Sequence, residues 1–322
     1  MRVVFFGTPE YAAVTLTKLL DAGYSVVMAV TQPDKPRDRG KKLHSPPVKE
    51  LAARNGIPVL QPECLKHNGA FVDQLRAASA DIFIVVAYGK ILPSDILELP
   101  ELGCINIHAS LLPRFRGAAP IQRAVIEGAE ETGVTLMYMN TEMDAGDIIA
   151  VRRTAVGHKS AADLFDELSV LGAELLLEEL PGIASGQVKK RPQDHSHATY
   201  APVIRKEEGH LDFKKTSDEL DRIVRGMNAQ SGAYAFYQDT VLKIWEAVSI
   251  ADYSRSSDSD AIPVNDGVAV PGTILETSNE GIIIASGNGV LKVNMLQAPG
   301  KRVMAVGEYL RGNKISAGDI FY

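Results

Sequence analysis

From Arg2 to His108 short apolar runs alternate with segments of helical spacing, and that alternation restricts the chain more than any other feature. Val3-Val4-Phe5-Phe6 reads as a strand, Gly7-Thr8-Pro9 as a turn, and Tyr11 to Leu20 as a helix. Thr8 is the expected N-cap of that helix, with Pro9 at its first position. The rhythm continues with a strand at Ser25–Val30, a helix at Val48–Arg54 and a short strand at Pro58-Val59-Leu60. A helix at Ala70–Ala78 and strands at Ile82–Val86 and Cys104–His108 follow. Strand and helix in turn predict an α/β unit built on a parallel sheet covered on both faces.

A further strand is expected at Val134–Met139, and the strongest helical pattern runs from Ser160 to about Leu180. Ser160 is its N-cap, Asp163 lies in its first turn, and Leu164, Phe165, Leu168, Leu171 and Leu175 share one face. Val188 to Glu208 is polar and lacks apolar periodicity, which reads as a linker. Beyond it the pattern changes to one helix, Ser217–Met227, and β-rich runs at Val241–Trp245, Gly281–Ala285 and Val290–Met295. Turn signals at Asn265-Asp266-Gly267 and Gly287-Asn288-Gly289 separate those runs, the pattern of a small β-barrel. The expected division is residues 1–188, a linker at 189–208, and a second domain at 209–322. Tyr253 to Asn265, rich in Ser and Asp, is expected to be a loop.

Composition removes several classes. With 322 residues, 45% hydrophobic and 23% charged, the chain has the profile of a globular protein of about two domains. The apolar run after Met1 is too short for a secretory leader or a membrane span, which points to the cytoplasm. The 2 cysteines, Cys64 and Cys104, form no CxxC and suggest neither disulfides nor zinc; both are expected to be buried. Gly7 stands without the rest of a G-x-G-x-x-G, and no G-x-x-x-x-G-K-[ST] occurs, so dinucleotide and nucleotide-triphosphate chemistry are poor fits. The net charge of −6 hides one basic stretch, in which Lys35, Arg37, Arg39, Lys41, Lys42 and Lys49 face only Asp38.

Candidate chemistry gathers at the strand Cys104–His108. Alternation puts Asn106 and His108 on one face and Ile105 and Ile107 on the other. In open α/β sheets ligands sit beyond the carboxyl ends of the strands. There an amide donates to a developing oxyanion and an imidazole exchanges a proton near neutrality, a pairing suited to acyl transfer. Ser110-Leu111-Leu112-Pro113 follows as an apolar loop able to wall a flat aromatic ligand, and Arg114 to Pro120 leads into a helix. Met143-Asp144-Ala145-Gly146-Asp147 is an acidic turn in which Asp144 or Asp147 is placed to orient the histidine. The other histidines, His195 and His197 among them, are expected to be solvated.

Asn106-Ile107-His108, Ser110-Leu111-Leu112-Pro113, Arg116-Gly117 and Asp144-Ala145-Gly146-Asp147 together resemble the signature of the 10-formyltetrahydrofolate-dependent formyltransferases. Thr31-Gln32-Pro33-Asp34-Lys35-Pro36, Arg39-Gly40-Lys41-Lys42, Val86-Ala87-Tyr88-Gly89 and Gly117-Ala118-Ala119-Pro120-Ile121-Gln122 resemble the branch acting on methionyl-tRNA. The likeness extends to Pro271-Gly272-Thr273-Ile274, Leu296-Gln297 and Pro299-Gly300-Lys301, and so covers essentially the whole chain. It implies a Rossmann-like formyltransferase domain followed by an OB-like barrel that helps hold tRNA. It also implies 10-formyltetrahydrofolate as donor and the amine of initiator Met-tRNA as acceptor; that chemistry requires no metal, and a monomer is expected because one chain carries both the catalytic and the RNA-holding parts.

The residue roles come from the same resemblance. Asn106, His108 and Asp144 match the catalytic residues; Ser110, Leu111, Leu112 and Pro113, with Val86 and Tyr88, match the folate contacts. Arg39, Lys41 and Lys42 lie in the insertion that engages the acceptor end of tRNA. The alternatives keep the folate chemistry but change the acceptor to a sugar-nucleotide or ribonucleotide amine or to water, or leave a folate- or RNA-binding module without catalysis. One departure stands out: Asn228-Ala229-Gln230-Ser231 replaces the Asn-Pro-x-Pro that many bacterial members carry. The stretch from Arg205 onward carries 13 Lys+Arg against 16 Asp+Glu, so any RNA contact there has to use local groups such as Lys214, Lys215, Lys301, Arg302, Arg311 and Lys314.

Overall fold

A computed structural model describes residues 1–37, 42–229, 231–251, 253, 264–265 and 268–322. It divides into two compact units. One holds Met1–Pro120, Glu131–Ala155 and Leu164–Val203; the other holds Ile121–Glu130, Val156–Asp163 and Ile204–Tyr322.

The first unit opens with β1 (Arg2–Gly7), α1 (Glu10–Asp21) and β2 (Ser25–Val30). A hairpin of β3 (Lys35–Arg37) and β4 (Lys42–His44) follows, then α2 (Pro47–Arg54), β5 (Val59–Leu60), α3 (Gly69–Ala77) and β6 (Ile82–Val86). Next come α4 (Ser94–Leu97), β7 (Cys104–His108), β8 (Glu131–Tyr138), β9 (Ile148–Ala155) and α6 (Ala161–Ala184); α5 (Pro120–Ile126), between β7 and β8 in sequence, belongs from Ile121 on to the second unit, as does the start of α6 up to Asp163. Seven strands form one sheet in the order β5-β2-β1-β6-β7-β8-β9. The first five are parallel, as the alternation predicts, whereas β8 and β9 run antiparallel, so the sheet is mixed. For β8 and β9 the physical reason is their short connection, since a parallel neighbour needs a crossover of a dozen residues or more; the connection from β7 to β8 is long enough for either direction. β6 is apolar and buried at every position, as a strand covered on both faces is, and β1 and β2 are apolar after their first residues.

Chain order reverses between β1 and β6: the chain steps outward from β1 to β2 and β5, then returns to the other side of β1. Such a switch point opens a crevice beyond the carboxyl ends of the strands. Gly7 and Thr8 leave β1 there and Ala87-Tyr88-Gly89 leave β6. Thr8 does not cap α1. Pro9 takes the N-cap position without a side-chain bond, and the Thr8 hydroxyl donates to Tyr88 O (3.4 Å) and accepts from Gln32 N (3.2 Å). The hydroxyl is spent on tying three strand ends together. Ser160 does cap α6, accepting from Asp163 N at 3.2 Å while its own N–H and hydroxyl donate to the Asp163 carboxylate. Those bonds hold the Asp163 carboxyl below its ordinary range.

Cys104 is buried at the start of β7, and burial pushes its thiol up to about 12. Cys64 departs from expectation: it is exposed, in the loop between β5 and α3. Among the described residues no helix is long and apolar enough to cross a membrane.

The second unit contains α7 (Ser217–Met227), β10 (Ala233–Tyr237), β11 (Thr240–Ile250), β12 (Val264–Asn265), β13 (Val268–Ala269), β14 (Ile274–Ser278), β15 (Gly281–Ala285), β16 (Val290–Gln297), β17 (Met304–Ala305) and α8 (Val306–Leu310). Thr216 and Glu219 form a reciprocal capping box at the start of α7. The sheet order is β10-β11-β16-β15-β14, and β17 pairs with β16. The C-terminal segment closes the ring, since Phe321 bridges Tyr237 at the end of β10 and Ile320 bridges Thr273 before β14. Most of the expected Tyr253–Asn265 loop, and Gln230 of the altered turn, lie outside the described residues.

Closure explains Pro271-Gly272-Thr273. Gly272 has φ +91°, and a Cβ there would sit 2.2 Å from Phe321 O, while the Phe321 N–H donates to Gly272 O (2.8 Å) and draws the two strands together. Gly272→Ala is therefore expected to destabilise the protein by more than about 1 kcal/mol. Thermal unfolding checks this; an unchanged midpoint would mean that the seam is not a structural closure.

Candidate active site

β7 lies between β6 and β8, and register puts Asn106 against Val85 and Met137 and His108 against Thr135. Asn106 is half-buried, and its side-chain amide makes no hydrogen bond to the described residues. An amide left open at a strand's carboxyl end is available to a ligand. His108 is 6% exposed. Its Nε2 lies 2.9 Å from Phe115 O, so Nε2 carries the hydrogen and donates, which leaves Nδ1 as the proton-accepting atom.

Nδ1 faces Asp144, whose Oδ1 is 3.7 Å away. The distance makes this an ion-pair contact for the protonated ring, not a hydrogen bond. The expected division of labour thus changes: a main-chain carbonyl sets the tautomer, and the carboxylate stands ready for the imidazolium. The Asp144 Oδ2 accepts from Gly117 N at 2.8 Å. Of the two aspartates in the turn, Asp144 is the one beside His108.

Two of these groups come from strained backbone. Phe115 has φ +59° and Asp144 φ +52°, and Ala87, at the end of β6, has φ +44°. Left-handed non-glycine residues persist where their surroundings over-determine them, and they concentrate at functional sites. Two residues further along the turn, a Cβ on Gly146 would lie 1.9 Å from Tyr138 O, so only glycine lets the turn fold back onto β8.

The loop after β7 is pinned from beneath. Thr135 Oγ1 donates to Ser110 O (2.7 Å) and accepts from Leu112 N (3.1 Å), and Ser110 Oγ donates to Arg114 O (2.6 Å). Ser110 is fully buried, and Leu112 packs with Met137 and Ile148; Leu111 and Pro113 are half-buried. Val86 is buried, and Tyr88 is buried against Phe6, its hydroxyl without a partner among the described residues and pushed up to about 12 by burial. Of the six expected folate contacts, then, Leu111 and Pro113 keep partly open side chains, and the other four are buried.

Arg39 and Lys41 lie outside the described residues; Lys42 begins β4. The foot of that hairpin is well held. Lys49 Nζ donates to both Asp34 oxygens at 2.8 Å and to Gln61 Oε1 at 2.7 Å, and Gln61 Nε2 donates to Asp34 Oδ1. The Lys49 and Gln61 bonds hold the Asp34 carboxyl below its usual range. Outside the site the histidines are exposed, as expected.

Three residues at the site escape the sequence pattern: Phe115, which acts through its carbonyl, Gln193 and Thr199. Gln193 is 6% exposed although it lies in the expected linker. Its Nε2 donates to Asp144 O (2.9 Å) and Gly146 O (2.8 Å), and its Oε1 accepts from Arg116 Nη2 (2.7 Å) and Nε (3.2 Å). Thr199 Oγ1 accepts from Phe115 N at 2.9 Å. The only sequence signal for these contacts is that polar Gln and Thr are spaced among turn residues, which is too common to single them out.

An open amide and a histidine–aspartate pair at the carboxyl end of β7, one strand beyond the switch point, are the class of groups suited to moving an acyl group by proton transfer and oxyanion stabilisation. Similarity to known proteins narrows the class. Residues 1–180 match the family model described as formyl transferase, and residues 203–314 match the formyl transferase C-terminal domain. A methionyl-tRNA formyltransferase of Caldanaerobacter subterraneus subsp. tengcongensis is 43% identical over 321 residues, 99% of each chain. One of Lachnospira eligens is 44% identical over 319 residues, covering 99% of this chain and 98% of that protein.

Solved structures share the fold at lower identity. The sugar 3N-formyl transferase WlaRD, solved with dTDP and 5-N-formyl-THF, is 19% identical with TM-score 0.65, covering 94% of this chain and 99% of that one. HypX from Aquifex aeolicus in complex with tetrahydrofolic acid is 17% identical with TM-score 0.63, covering 98% and 50%. The chain belongs to the methionyl-tRNA formyltransferase family.

Proposed function

We propose that this protein transfers the formyl group of 10-formyltetrahydrofolate to the α-amino group of methionine on initiator tRNA, for translation initiation. The observation that carries the reading is the open Asn106 amide on the same strand face as His108, whose Nδ1 is 3.7 Å from Asp144. These groups suit a formyl-bearing folate: the Asn106 amide has no partner among the described residues, and Leu111 and Pro113 in the loop after β7 are partly open apolar side chains. When bound, the folate supplies an acyl carbon open to attack by an amine.

The chain's own residues do the rest. The amine must be neutral to attack, and an α-amino pKa of about 7.7–8.0 makes a modest base sufficient. His108 takes the amine proton at Nδ1, the nitrogen that Phe115 O leaves free. Asp144 then faces the imidazolium and stabilises it. Asn106 donates to the carbonyl oxygen as negative charge builds there; as the C=O re-forms, the bond between the formyl carbon and N10 of the folate breaks, and the His108 imidazolium gives its proton to that departing nitrogen and returns to the neutral ring. Arg39, Lys41 and Lys42, in the basic loop that the resemblance ties to the acceptor end, would contact the phosphates of the stem, contacts that position without reading bases.

The test is formyl transfer assayed with charged initiator Met-tRNA, elongator Met-tRNA, free methionine and no acceptor in parallel. Product from the charged initiator alone is expected. Folate turnover without acceptor would make the protein a hydrolase, and product only with a nucleotide-sugar amine would change the acceptor class.

Arg39→Ala is expected to raise the apparent KM for tRNA and to flatten its salt dependence, since removing one phosphate contact lowers the slope of log K against log salt by about 0.9 for duplex nucleic acid. An unchanged slope with lowered thermal stability would make the basic loop a solvated lid.

A further inference from the structure

The stretch expected to be a passive linker is built into the catalytic unit. Arg191 exchanges both main-chain bonds with Ile148 (2.8 and 2.9 Å). Gln193 donates to the carbonyls of Asp144 and Gly146. Thr199 accepts from Phe115 N through its hydroxyl and from Arg116 N through its carbonyl (2.8 Å), and Ala201 N donates to Arg116 O (2.7 Å). The two residues that flank His108, Phe115 with its carbonyl and Asp144 with its carboxylate, thus both have their main chain fastened by residues 191–201. This stretch lies between the two segments that the family models match.

We infer that Gln193 and Thr199 are positioning residues for the formyl-transfer site, holding the left-handed Asp144 and Phe115 in the geometry His108 requires. The inference rests on the reading of His108 and Asp144 given above.

The orientation of the Gln193 amide is forced. Arg116 is 3% exposed and has only donors to offer, so it takes Oε1, and the NH2 group has to point at the two carbonyls. Both ends of the amide are used, and among the described residues no other side chain donates to those two carbonyls. His195 Nδ1, 3.4 Å from Arg116 Nη1 and Nη2, completes the guanidinium's surroundings. No carboxylate makes an ion pair with Arg116 among the described residues, so a neutral amide is what the buried cation orients. Thr199 does for Phe115 what Gln193 does for Asp144: its oxygen holds the N–H of a left-handed residue whose own carbonyl sets the His108 tautomer.

Substitutions separate the roles. Gln193→Glu keeps the acceptor for Arg116 and removes both donors to the turn, while Thr199→Val removes the acceptor for Phe115 N and Thr199→Ser restores it. With thermal unfolding run alongside to confirm folding, Gln193→Glu is expected to lower kcat about 10–100-fold, with KM for the folate and for tRNA each within about threefold. In an Asp144→Ala background the same change should add less than about twofold, because two residues acting through one group are not additive. Thr199→Val should show a comparable kcat loss, and Thr199→Ser should recover most of it.

A full Gln193→Glu loss in the Asp144→Ala background would make Gln193 merely structural, and wild-type kcat in folded Gln193→Glu beside an impaired Asp144→Ala would overturn the inference alone. Wild-type turnover of Asp144→Ala would overturn the reading of the site itself.

Discussion

His108→Ala is expected to lower the rate of formyl transfer by about 10²–10⁴-fold, the usual contribution of a positioned general base. The two ring nitrogens have different partners. Nε2 is committed to Phe115 O at 2.9 Å, so the neutral ring has one basic atom, Nδ1, and the Asp144 carboxylate is the charge beside it. On the proposed reading, removing the ring takes away the base for the attacking amine; it also leaves the Phe115 carbonyl without its donor. Because His108 is buried, a small cavity remains, and a melting curve has to accompany the kinetics. Single-turnover transfer to charged initiator tRNA, read with saturating folate, isolates the chemical step. A folded variant within about threefold of wild type would remove His108 from the reaction and leave the pair with Asp144 as a structural contact.

Asp144→Asn gives a smaller, informative change. The amide keeps a carbonyl oxygen for Gly117 N but no longer carries the charge that faces an imidazolium. Geometry is thereby separated from electrostatics at one position.

How much of this is legible in the sequence follows from which forces are local. Strand and helix periodicity reports burial, so β1, β2, β6, β7, α6 and α7 stand where apolar spacing puts them, and the capping box at Thr216 and Glu219 is readable because both partners lie within one turn. The direction of β8 and β9 is not readable from periodicity, since an apolar strand reads alike in either direction; the shortness of their connection signals only that the two run opposite to each other. Thr8 has the sequence of a cap because caps are local, but its hydroxyl finds partners at Gln32 and Tyr88, far away in the chain.

The same distinction runs through the site. Asn106 and His108 are visible as a pair because two residues on one strand share a face. Asp144 and Asp147 are equivalent candidates until the turn's path is known. Phe115 O, Gln193 and Thr199 are invisible because main-chain carbonyls have no sequence signature, and because the polar composition of 189–208 reads as solvated when in fact Gln193 is buried. The tautomer of His108, which decides the base atom, depends on the least legible group of all.

Asn106→Ala is expected to lower turnover by about 10²–10³-fold, the usual loss when one donor to a developing oxyanion is removed, with folate binding largely intact. The amide forms no hydrogen bond with the described residues, so its deletion breaks no such bond and leaves neighbouring Ile105 and Ile107 packed in the core. A loss of activity is then not a loss of folding, which makes this position a cleaner probe than His108. The donor matters more in the transition state than in the ground state, because the carbonyl oxygen gains charge as the amine attacks; kcat should fall while the KM for folate moves little. Asn106→Asp sharpens the point. It preserves size but replaces the donor by a carboxylate that repels the same charge, so its rate should lie at or below that of Asn106→Ala. If Asn106→Ala turns over at the wild-type rate, the oxyanion is held by another group; if it loses folate binding and rate together, Asn106 is a ground-state ligand and its assignment to the chemical step fails.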